Sequence, residues 1–107
     1  DAKFFLVTQP YASDRDADRA EKSANMRSAI LELAEYFDNC YVIDLYKYGP
    51  VYDDEFKKNY FYHSHMSPAG YLMTAKLIDS YIDYIIRHNP EDFKEVGFIN
   101  TDIPRVW

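Results

Sequence analysis

The chain of 107 residues has a single cysteine, Cys40. One thiol makes no internal disulfide and no thiolate-rich metal centre. Placed after Asn39 at the head of an apolar run, Cys40 reads as a small buried hydrophobe. A basic patch is missing as well: 12 Lys and Arg are dispersed among 18 Asp and Glu, giving a net charge of −6. That balance argues against the phosphate backbone of nucleic acid and against anionic membrane surfaces as partners. There is no long hydrophobic run, because the best candidate, 71–86, is interrupted by Lys76, Asp79 and Asp83. An initiating Met is also lacking. The chain opens Asp1-Ala2-Lys3 and enters an apolar run at once, as a piece with sequence ahead of it would.

Large side chains are abundant. Aromatics make up 18% of the chain, with 11 Tyr and 7 Phe, within a composition that is 48% hydrophobic and 28% charged. This is the composition of one small globular domain. Tyrosines bury a ring but need a partner for the hydroxyl, so many are expected at core boundaries or pocket walls.

The hydrophobic pattern predicts a β-α-β unit. Lys-Phe-Phe-Leu-Val-Thr-Gln at 3–9 is a continuous apolar run stopped by Pro10, as in a strand buried on both faces. Residues 18–37 read as a helix, with Met26, Ile30, Leu33, Ala34 and Phe37 as its core stripe and Arg19, Glu21, Lys22, Arg27, Glu32 and Glu35 facing solvent. Residues 40–46 read as a second strand with Asp44 near its carboxyl end, bonding local amides. Residues 47–64 are expected to form a long irregular loop, in which Asp53-Asp54-Glu55 reads as a solvated run. Ser67 as cap and Pro68 at the first position start a helix that runs to His88, stopped by Asn89-Pro90. Its apolar arc is wide: Leu72, Ala75, Ile78, Ile82 and Ile85 form one stripe, Leu77, Tyr81 and Tyr84 another. Residues 89–107 are expected to dock as a tail. Two parallel strands need further strands and cover on both faces. Open edges are therefore expected, completed by an upstream segment of the same protein or by a second copy.

The stretch richest in chemistry is His63-Ser64-His65-Met66-Ser67-Pro68-Ala69-Gly70-Tyr71. His65 stands just before a capped helix start, after a long loop. In open α/β sheets, sites gather in loops beyond the carboxyl ends of the strands. On the residues alone, His65 is either a general base there or an ordinary polar residue beside a helix terminus. His63 and His65 would project the same way from an extended segment. With Asp53, Asp54 or Glu55 they form a third alternative, a zinc site without recognisable spacing. Tyr46, Tyr48, Tyr52, Tyr60 and Tyr62 either line an acyl or carbohydrate cleft or cover the edge of the core.

The block from His65 to Tyr71 resembles the last sequence block of the SGNH/GDSL hydrolases, in which an Asp-x-x-His pair precedes a helix start and a glycine. The strand, helix and strand before it resemble the elements that precede that block, so the likeness spans about residues 3–88. The resemblance implies the C-terminal part of a flavodoxin-like three-layer α/β sandwich and a serine acyl hydrolase, esterase or lipase. His65 would be its catalytic histidine, and a small-molecule ester, an acylated carbohydrate or a lipid, its substrate. It implies no cofactor and no metal. Two departures stand out. The family's nucleophilic serine and oxyanion-hole residues have no counterpart here, so this chain by itself is expected to be inactive. The family's aspartate is Tyr62, which carries no charge at neutral pH. The rival reading is a non-catalytic flavodoxin-like domain for binding or assembly.

Overall fold

The computed structural model describes residues 2–94. Strand β1 (Phe4–Val7) pairs in parallel with β2 (Cys40–Ile43), Phe4 opposite Cys40 and Val7 opposite Ile43. Helix α1 (Ala17–Glu35) connects them, so the β-α-β unit forms as its hydrophobic pattern predicts. Two short helices follow, α2 (Leu45–Tyr48) and α3 (Asp54–Tyr60). A two-stranded antiparallel hairpin, β3 (Phe61–Tyr62) and β4 (His65–Met66), leads into the long helix α4 (Pro68–His88) and a 3-10 turn at Pro90–Phe93. The class is mixed α/β. Among the described residues the parallel sheet has two strands, and both of its outer edges are without a strand neighbour.

The core lies where α4 and the 3-10 turn cross one face of the sheet. Ile43, Leu45, Ile85, Ile86 and Phe93 are buried there, and Phe5 and Tyr41 pack against them. Phe93 stacks on Phe5 at 6.2 Å between ring centroids and tilts over Tyr41 at 5.3 Å. The Tyr41 hydroxyl bonds Asp92, which ties the turn to the sheet. Burial first, and that bond second, push its pKa up to about 12. The Cα envelope measures 45 × 32 × 17 Å.

Several expectations are corrected. Met26, Leu33 and Phe37 do not form the core side of α1: they are 57%, 49% and 52% exposed. The half-buried side carries Arg27, Ile30, Leu31 and Ala34, because Arg27 is drawn inward by Asp44. The second strand ends at Ile43 rather than Tyr46, since the Asp44 side chain accepts from the Lys47 amide at 3.4 Å and starts α2. The span 47–64 is not an irregular loop. Asp53 caps α3 by accepting from the Phe56 amide at 2.8 Å, Asp54 and Glu55 fill its first turn and Lys57 and Lys58 its last, matching the helix dipole at both ends. On α4, Leu72 is 61% and Tyr84 58% exposed, so neither apolar stripe is covered along its whole length. The tail expected from residue 89 begins with the 3-10 turn, which docks on the sheet through Phe93, and residues 95–107 lie outside the described residues.

Candidate functional site

The carboxyl ends of β1 and β2 carry a polar network. Thr8 and Asp44, 1% and 5% exposed, are the buried polar pair of the sheet. The Thr8 hydroxyl donates to Asp44 Oδ1 at 2.9 Å and accepts from the Tyr46 amide at 3.0 Å. The Arg27 guanidinium reaches Asp44 through two nitrogens, Nη2 at 2.7 Å from Oδ2 and Nε at 3.1 Å from Oδ1. Burial works to raise the Asp44 pKa, but Arg27 and Thr8 outweigh it and hold the carboxyl below the usual carboxylate range. Among the described residues no buried side-chain polar atom lacks a partner. The network therefore closes on itself and fixes α1 to the strand ends.

Beyond those ends lies a cleft of about 450 Å³, bounded by Ala12, Arg15, Arg19, Tyr52, Lys57 and Phe61 among others. A parallel bridge between Ala12 and Tyr52 forms its floor, with the Tyr52 amide donating to the Tyr11 carbonyl at 2.7 Å. Its cations are engaged. Lys57 pairs with Asp14, holding that carboxyl below its ordinary range, and Arg15 donates to Ser23. A second, more apolar cleft of about 530 Å³ runs between α2 and α4 along Tyr48, Leu77, Ser80, Tyr81 and Tyr84.

His65 sits on the hairpin. Phe61 pairs with Met66 and Tyr62 with His65, leaving His63 and Ser64 as the turn. His63 has φ 58°, the left-handed region that a two-residue turn demands and that Gly or Asn usually fills. The base of the hairpin is pinned. The Tyr60 carbonyl accepts from the Ser67 amide at 2.8 Å and from the Ser67 hydroxyl at 3.0 Å, and Ser67 in turn caps α4 by accepting from the Gly70 amide at 3.2 Å. Gly70 is buried against the same carbonyl, where a Cβ would collide with the oxygen. The Ser-Pro-x-Gly portion of the motif therefore has a packing role: it lets the helix start close against the end of α3.

The pleat puts Phe61 and Met66 on one face of the hairpin and Tyr62 and His65 on the other. Phe61 lines the cleft and meets the Tyr52 ring at 5.4 Å. His65 is exposed on the opposite face and is not part of the cleft wall. Tyr62, 72% exposed, turns its ring to His63 at 4.4 Å. Among the described residues no hydrogen bond orients the His65 ring.

His63 lies in the turn and His65 on β4, instead of both lying along one extended segment, and Asp53 is spent on capping α3. No group of three His, Cys, Asp or Glu side chains among the described residues is placed to hold a metal ion. Nor do the tyrosines named from the sequence share one wall: Tyr48 lines one cleft and Tyr52 the other, while Tyr46 packs on Tyr11 and beneath Arg27. Sequence reasoning missed Thr8 and Arg27. The signal for Arg27 was its helical spacing with Ile30, Leu31 and Ala34, which puts it on their side of α1.

Comparison with protein-family models, curated proteins and solved structures finds no match to this chain. Chemically, an exposed imidazole ahead of a fixed helix start can accept a proton from a hydroxyl brought to it from the solvent side.

Proposed function

We propose that the chain is the C-terminal, histidine-bearing part of a serine acyl hydrolase of the SGNH/GDSL kind, built on a flavodoxin-like sheet. The serine and oxyanion hole come from polypeptide upstream of Asp1, and that segment or a second copy completes the sheet. His65 accepts the proton of that serine and returns it to the leaving group. The substrate is a small ester, an acylated carbohydrate or a lipid, and the chemistry needs neither metal nor cofactor. The observation that carries the reading is the His65 imidazole itself. It is exposed, with no hydrogen bond to its ring among the described residues, two residues ahead of the Ser67 cap that is locked to the end of α3.

The test uses the chain joined to its upstream sequence, with a chromogenic acetyl ester as substrate. His65→Ala should lower kcat by about 10³-fold or more, while a serine-directed phosphonate labels the parent protein. Full turnover by His65→Ala would refute the base assignment.

A second reading is a flavodoxin-like binding or assembly domain in which the histidine is incidental. It is favoured by Tyr62, which stands in the aspartate position yet packs on His63. Absence of phosphonate labelling and of esterase turnover in the extended protein would select it.

A further inference from the structure

The cleft beyond the strand ends is lined by three cations, Arg15, Arg19 and Lys57, against two carboxylates, Asp14 and Asp16. One positive charge is in excess there, on a chain whose net charge is −6. Both carboxylates have partners within the chain. Asp14 pairs with Lys57, and Asp16 caps α1 by accepting from the Arg19 amide at 2.8 Å. Arg15 differs. The residue is half-buried, and among the described residues its side chain bonds the neutral hydroxyl of Ser23 and no carboxylate. A guanidinium carries five N–H donors in a planar fork. Ser23 therefore holds the fork of Arg15 in place and leaves most of its donors open. The same cleft has an aromatic wall. Tyr52 and Phe61 line it with their rings 5.4 Å apart and edge-on, and Phe56 steadies Tyr52 by stacking on it at 4.7 Å.

We propose that this cleft binds an aromatic carboxylate, with the carboxylate on the Arg15 fork and the ring against Tyr52 and Phe61. The charge balance selects a monoanion. One excess positive charge is answered by one carboxylate, whereas a phosphate dianion would turn the cleft negative on an already acidic chain. The planar fork matches the two oxygens of a carboxylate. The aromatic pair selects a ring over an aliphatic body, because edge and offset contacts between rings add to the area buried. A volume of about 450 Å³ falls within the range of small-molecule sites and admits a fused-ring compound. The place agrees as well, since α/β sheets take ligands in the loops beyond the carboxyl ends of their strands. Arg19 and Lys57 supply a positive rim. Their pairs with Asp16 and Asp14 are partly exposed and can be exchanged at little cost. The other cleft, between α2 and α4, has no charged side chain in its wall among the described residues, and so nothing to orient an anion. The site does not depend on the hydrolase reading, because His65 lies on the other face of the hairpin.

Titration of 2-naphthoate into the isotope-labelled chain, followed by amide chemical shifts, tests this. Saturable shifts are expected at Ala12, Arg15, Tyr52 and Phe61, with a Kd of about 0.1–1 mM for so open a cleft. Neutral 2-naphthamide and non-aromatic cyclohexanecarboxylate should each bind at least about tenfold more weakly. Arg15→Gln should weaken naphthoate by about tenfold and leave naphthamide unchanged. The naphthamide and cyclohexanecarboxylate comparisons use the parent protein, so the test stands even if Arg15→Gln fails to fold. Absence of saturable shifts up to about 5 mM naphthoate overturns the proposal. So does naphthamide, cyclohexanecarboxylate or inorganic phosphate that binds as tightly as naphthoate, or a folded Arg15→Gln that binds it as the parent does. Shifts centred on Tyr48, Tyr81 and Tyr84 would place the ligand in the other cleft and overturn it too.

Discussion

The strand-end network and the hairpin are both polar, and they differ in whether their groups find partners. Around Asp44 every hydrogen-bonding group is answered, by Thr8, Arg27 and the Lys47 amide, and the carboxylate is 5% exposed. On the hairpin, His65 is open to solvent and His63 holds a left-handed backbone that its side chain does not favour. A polar group whose partners are complete is architecture, because removing it strands the others. A polar group without partners contributes little to folding and is free to act on something else. That contrast can be broken or sharpened by substitution.

The largest effect is expected at Asp44. Asp44→Ala leaves Thr8 and Arg27 facing a void and should cost about 2–4 kcal/mol, read as a fall in Tm of about 10–20 °C. Because the folded carboxyl lies below its ordinary value, its contribution is complete above the unfolded pKa of about 3.9 and is lost as pH falls from there through the folded value. Asp44→Asn should accordingly flatten the acid side of the stability curve. Stability that declines equally in both proteins below pH of about 4 would show that the network is not the acid-sensitive element.

Gly70→Ala comes next. The added methyl meets the Tyr60 carbonyl, and urea unfolding should register a loss of about 1–3 kcal/mol. A neutral result would mean that α4 can slide off the end of α3 and that the hairpin base is not pinned.

His63→Gly should go the other way, with a gain of about 0.5–1 kcal/mol from relief of the left-handed residue, offset in part by greater freedom of the unfolded chain. Thermal unfolding checks the sign.

The smallest stability effect belongs to His65→Ala, within about 0.5 kcal/mol of the parent. A larger loss in Tm would make His65 part of the architecture and erase the difference between the two regions.

Much of the skeleton was legible in the sequence. The β-α-β unit and α4 announce themselves through apolar periodicity and through Ser67-Pro68 and Asn89-Pro90 at the ends of α4. The facing of α1 was not legible, because both of its sides are apolar and an ion pair across 17 residues decides which one turns inward. The helix α3 escaped notice because seven residues are too few to show a period, although Asp53 and the following acidic pair were its start signal. The hairpin was hidden by its turn, which uses His63 where glycine or asparagine would have marked it. His65 was found by its place before a capped helix. Its position on the face away from the cleft depends on a strand register of two residue pairs, which is too short a pattern to read from composition.

The bonds from Ser67 to the Tyr60 carbonyl close a loop whose two feet are stapled together. Such a loop is mechanically insulated from its surroundings, because length added at the tip does not have to be absorbed at the base. A peptide epitope or a fluorescent-label site inserted between His63 and Ser64 would therefore ride on the hairpin without shifting the start of α4. The tip is the natural grafting point of this molecule.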